Sequence, residues 1–150
     1  MIDPPVHTID IRAFRYDTEV PERVEQALMT VYSVDADEDV NLMRDSVEGH
    51  FGNQIDVYSV RLDRADQIRE AMRQLLDRAD IDEILTDIDD RVTDDCELYL
   101  RFDKQLAYTD DQLRLGDGIE VRIKLEAYPA NRDAALANAR DFFEAALEDA

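Results

Sequence analysis

The chain has 150 residues, 45% of them apolar and 36% charged, a balance that fits one globular domain with a core of its own and excludes a disordered tail or a two-domain enzyme. No apolar run approaches the roughly 18 residues that cross a bilayer, so no membrane partner is expected. Seventeen basic residues against 37 acidic ones give a net charge of −20, which on its face argues against a polyanionic partner.

Val6 to Tyr16 alternates, with Ile9, Ile11 and Ala13 on one side and Asp10, Arg12 and Phe14 on the other, the pattern of a half-buried strand. Thr18-Glu19-Val20-Pro21 then supplies a capping residue and an early proline ahead of Val20, Val24, Ala27, Leu28 and Val31 at helical spacing, so a helix follows. Asp39 to His50 and Asn53 to Leu62 read as two strands joined by a tight turn at His50-Phe51-Gly52. Asp63 is the expected cap of a helix with the stripe Ala65, Ile68, Met72, Leu75 and Leu76. A second helix, striped by Ile81, Ile84, Leu85, Ile88 and Val92, starts after Asp80 with Glu83 in capping-box position. Glu97 to Asp103 and Ile119 to Ala127 alternate again, the latter with Ile119, Val121, Ile123, Leu125 and Ala127 inward and Glu120, Arg122, Lys124 and Glu126 outward. One sheet face must therefore meet water. Pro129 and Asn131 open a last helix, with Leu136, Ala139, Phe143, Ala146 and Leu147 as its stripe.

With no linker, repeat or low-complexity block, residues 1–150 form a single α+β domain. The order β-α-β-β-α-α-β-β-α implies a mainly antiparallel sheet of about five strands with helices packed on one face.

Only two of the basic residues are lysines, Lys104 and Lys124. A surface so rich in Asp and Glu repels itself in dilute buffer, whereas at molar salt the screening length falls to about 3 Å and the penalty fades. The composition points to a salt-adapted protein, which makes local departures from the average charge the useful signal. Asp63 to Glu97 carries 13 acids and 5 bases. Leu98 to Tyr128 carries six acids and five bases, both lysines among them.

Metal and catalytic readings fare poorly. His7, His50 and Cys96 cannot build a zinc site, and Asp87, Asp89, Asp90, Asp94 and Asp95 lack the glycine and terminal acid of a calcium loop. Asp95 and Glu97 beside Cys96 disfavour the thiolate that a nucleophile needs. No phosphate-binding glycine pattern occurs, the opening Met1-Ile2-Asp3-Pro4-Pro5 lacks the order of a secretory signal, and a lone cysteine cannot form an internal bridge. A cytoplasmic protein with no catalytic residue, no metal and no cofactor is expected.

Two constellations remain. In Glu48-Gly49-His50-Phe51-Gly52-Asn53, two glycines bracket groups able to stack or donate, though a plain hairpin turn would look the same. Tyr99, Arg101, Lys104, Arg122 and Lys124 fall on the expected open face of adjacent strands, a chemistry suited to single-stranded RNA. Outward Arg and Lys could equally pair across strands with Glu120, Glu126 or Asp103, contributing only about a few tenths of a kcal/mol each.

The segment 48–53, the stretch Leu98-Tyr99-Leu100-Arg101-Phe102-Asp103-Lys104-Gln105 with Ala107-Tyr108, and Ala127-Tyr128-Pro129-Ala130 resemble an archaeal family of RNA-binding proteins and predicted exosome subunits. The likeness runs from the first strand to the last helix. Gln54 stands where a proline is expected, and the acidic load is heavier than in thermophilic relatives, as a haloarchaeal member should show. The resemblance implies a fold similar to the ribosomal protein that carries 5S rRNA. It also implies a role as a non-catalytic RNA-binding accessory factor of archaeal RNA processing, with exosome or ribosome-associated proteins as further partners. Arg101, Lys104, Arg122 and Lys124 would then meet phosphates, and Tyr99, His50 and Asn53 the bases. The other reading is a protein-interaction module of an RNA-processing complex that touches no RNA itself.

Overall fold

The computed structural model describes residues 3–16, 18–32, 42–48, 52 and 54–148, and among them the alternating segments become strands and the striped segments helices. They run β1 (Val6–Arg15), α1 (Pro21–Leu28), β2 (Met43–Glu48), β3 (Gln54–Leu62), α2 (Ala65–Arg78), α3 (Ile81–Arg91), β4 (Glu97–Asp103), α4 (Lys104–Asp110), β5 (Gly118–Leu125) and α5 (Arg132–Glu148). The expected order holds, with one short helix, α4, added between the last two strands. The five strands form one antiparallel sheet in the order β2-β3-β1-β5-β4.

Period-two burial decides which face is covered. Ile9, Ile11 and Ala13 of β1, Tyr58, Val60 and Leu62 of β3, Leu98, Leu100 and Phe102 of β4, and Ile119, Val121 and Ile123 of β5 are all buried, and the helices lie against that face. Leu28, Leu75, Ile84, Ile88 and Phe143 supply the opposing layer, as their helical spacing requires. The intervening strand residues, among them Arg12, Arg61, Tyr99, Arg101 and Arg122, point to the other side. That side is the wet face.

Several local expectations are corrected. The second strand is described from Met43, and residues 33–41, 49–51 and 53 lie outside the described residues, so its expected start at Asp39 and, of the expected turn, His50 and Phe51 fall there. Asp63 does not cap α2, whose N-cap is Arg64 without a side-chain capping bond. Asp80 does cap α3, accepting from the Glu83 N–H at 3.2 Å. Glu83 completes no capping box, however, because its carboxylate is drawn away to the Leu115 N–H at 2.7 Å and to Arg114 at 2.9 Å. Asn131 caps α5 through the Ala134 N–H at 2.8 Å, and the last strand stops at Leu125, with Ala127 buried just beyond it.

Candidate nucleic-acid interface

Register places outward side chains from different strands side by side. Arg61 of β3, Asp10 of β1, Arg122 of β5 and Tyr99 of β4 make one row across the sheet, and Met43, Ser59, Arg12, Glu120 and Arg101 make the next. Cations and anions alternate along both. Glu120 accepts from Arg12 at 2.8 Å and from Arg101 at 3.3 Å, while Asp10 lies 3.0 Å from Arg122 and 3.8 Å from Arg61. Arg122 also reaches Glu97 at 3.1 Å.

In this lattice four guanidinium groups meet three carboxylates, an excess of one positive charge on a chain whose total is −20. The pair with Asp10, then Tyr99 beside it, raises the pKa of Arg122 above its ordinary value. Its charge is fixed. The rows border a shallow open trough of about 640 Å³ lined by Asp10, Arg12, Met43, Arg61, Tyr99 and Glu120 among others. Tyr99 is 42% exposed and Met43 60%, so an aromatic face and an apolar side chain flank the charges.

Of the expected contact residues, Tyr99, Arg101 and Arg122 are brought together here. Lys124 sits farther along the same face, opposite Thr8 and Glu97, with its ammonium donating to the Asp95 carbonyl. Lys104 lies elsewhere. As the first residue of α4 it turns around the end of the sheet, where its ammonium donates to the Phe14 carbonyl and to Glu19 at 2.7 Å, with only 13% of the side chain exposed. His50 and Asn53 fall outside the described residues. Sequence reasoning singled out neither Arg61 nor Glu120 as site residues, and it left Arg12 as an outward strand residue. Outward alternation was the available signal, but the neighbourship β3-β1-β5-β4 joins residues 10, 61 and 122, which no local spacing encodes.

Around the corner from the trough, a groove of about 670 Å³ runs between α1, α4 and the end of the sheet. Rings and cations pair there: Lys104 lies over Tyr16 and Arg23 over Tyr108, each at 5.2 Å, and Arg12 lies over Phe14 at 5.2 Å. Each is an attractive contact of modest size. Among the described residues no group of three or more His, Cys, Asp or Glu side chains could hold a metal ion, and no helix is long and apolar enough to cross a membrane.

Comparison with known proteins gives a consistent result. Residues 8–125 match the family model described as RNA binding. The RNA-binding protein PAB1135 of Pyrococcus abyssi is 34% identical over 145 residues, which cover 92% of this chain and 94% of that one. Among solved structures, Mth689, a DUF54 protein from Methanothermobacter thermautotrophicus, is 34% identical with a TM-score of 0.75 over 92% of this chain and 98% of that one. Protein AF2318 from Archaeoglobus fulgidus is 28% identical with a TM-score of 0.78, over 91% of this chain and 98% of that one.

Proposed function

The chain belongs to the RNA-binding family, and from that premise we propose that it is a non-catalytic RNA-binding accessory factor of archaeal RNA processing. Exosome association, a cytoplasmic location and adaptation to high salt belong to the same reading. One observation carries it: on a strongly acidic chain, the uncovered sheet face combines an arginine-rich lattice with the exposed ring of Tyr99. Arginine donates in a planar fork to phosphate or to a base edge, and an exposed tyrosine ring offers a stacking surface of about 1–3 kcal/mol per base. At molar salt counterion release contributes little. Stacking and directed hydrogen bonds must then supply most of the affinity, and binding should weaken only mildly as salt rises.

Arg12 and Arg101, with 52% and 60% of their side chains exposed, can be shortened without opening the core. Titration of labelled single-stranded RNA with an Arg12→Ala/Arg101→Ala variant should show at least about a tenfold weaker complex than the parent. Unchanged binding would reject the sheet-face assignment.

A second reading, a protein-interaction module without RNA contact, draws support from Met43 and Val47, which are 60% and 49% exposed on β2 beside the trough. Such a module would bind no RNA at any salt concentration, and its partner contact would be lost on Met43→Asp and Val47→Asp.

A further inference from the structure

The lattice has a feature that a simple phosphate-binding face lacks, namely that every arginine in it already faces a carboxylate. Arg122 is enclosed by two, Asp10 at 3.0 Å and Glu97 at 3.1 Å. Arg12 and Arg101 share one, Glu120, through its separate oxygens at 2.8 and 3.3 Å. A guanidinium carries five N–H donors and a carboxylate about four acceptor positions. The group Arg12-Glu120-Arg101 therefore keeps donors and acceptor positions unused, side by side on the outward face, with Arg12 and Glu120 lining the trough and Glu120 and Arg101 the neighbouring groove.

A phosphate could use the donors only, and it would meet the negative charge of Glu120. A base edge carrying donors and acceptors together could use both kinds of group without breaking the ion pairs. The four bases differ here. Guanine presents N1–H and N2–H as neighbouring donors with the O6 acceptor beside them, whereas uracil has one donor between two acceptors and adenine and cytosine each pair their amino donor with a ring acceptor. Only guanine gives one carboxylate two parallel donors and the adjacent guanidinium an acceptor.

Resting on the RNA-binding reading above, we infer that Arg12, Glu120 and Arg101 form a guanine-recognition site: the Glu120 carboxylate accepts from guanine N1–H and N2–H, and Arg12 or Arg101 donates to O6. Tyr99 stands two residues before Arg101 on the same outward side of β4, beside Arg122 and diagonal to Glu120. Its ring, 42% exposed, provides the stacking surface for that base or its neighbour. Glu120 is then a specificity residue rather than a screen on the arginines.

Fluorescence anisotropy with labelled UUUGUUU, UUUAUUU and UUUUUUU heptanucleotides at fixed salt tests this on the full chain, with Glu120→Gln as the near-isosteric variant. The protein should bind the guanine-containing strand at least about tenfold more tightly than the other two. In Glu120→Gln that preference should collapse while binding to the uridine strand is kept or strengthened. Equal binding of the three strands by the unaltered protein, or a uniform gain for all three in Glu120→Gln, would overturn the guanine site and leave RNA binding standing. Failure of the unaltered protein to bind any strand would overturn both.

Discussion

Asp56 is the most heavily coordinated carboxylate described in the structure. Although 2% exposed, it accepts from Ser46 Oγ at 2.6 Å, from Arg15 Nε and Nη2 at 2.9 and 2.6 Å, and from Arg44 Nη2 at 2.9 Å. These bonds, Ser46 first and Arg15 next, outweigh burial and hold its carboxyl well below the usual carboxylate range. A depressed native pKa means that the unfolded chain takes up the proton first. The stabilisation from Asp56 is thus complete above about pH 4 and is lost as pH falls toward its native pKa. Asp56→Asn leaves Arg15, only 15% exposed in its side chain, facing an amide, and should lower the urea midpoint at neutral pH. At pH well below 4 the variant and the parent should converge, and a gap that stays constant with pH would contradict the assignment. Nothing in the sequence announced this cluster. Its members come from three strands, with Arg15 and Asp56 separated by 41 positions, so that only strand register reveals it.

Most elements were legible because burial imposes its period on them: β1, β4 and β5 read as strands from alternation, and α2 and α3 as helices from apolar stripes. The exception is α4, Lys104–Asp110, too short for a stripe and held by a local cap, in which Asp103 accepts from the Leu106 N–H at 2.9 Å. Its start is also fixed from outside. Gly118, at φ +119°, sits so close to α4 that a Cβ there would lie 2.5 Å from the Lys104 Cβ. Gly118→Ala would meet both the backbone strain and the clash, and should destabilise by about 2 kcal/mol or more, read as a lowered thermal midpoint. Asp103→Ala, which removes only the cap, should cost about 1 kcal/mol. Comparable losses in the two variants would mean that the close approach is relieved by movement of α4. The same contact explains the position of Lys104. Sequence placed this residue on the sheet face, but the turn into α4 carries its ammonium to Phe14 and Glu19 instead.

For the molecule as a whole, the acidic charge and the arginine lattice make different demands on salt. Self-repulsion among 37 carboxylates is relieved by screening, so the proposed salt adaptation predicts a thermal midpoint that climbs as potassium chloride rises from about 0.1 to about 1 M. A midpoint indifferent to salt would sink that part of the proposal. Charge totals pointed away from nucleic acid, and the local excess of positive charge becomes visible only when β1, β3, β4 and β5 are laid side by side.

The two margins of the sheet also differ. Beyond β4, residues Val92 and Leu115 bridge to Leu98 and Phe102, and the Asp103 and Gly116 N–H groups are bonded to the Arg114 and Arg101 carbonyls. Among the described residues β2 has no strand on its outer side, and Arg44, Asp45 and Glu48 share its six positions. Unpaired backbone of this kind is a template for another chain. With one margin closed and no described strand beyond the other, edge-to-edge self-association through β2 can join two copies back to back and then has nowhere to grow, so fibre formation by this route is blocked at the pair.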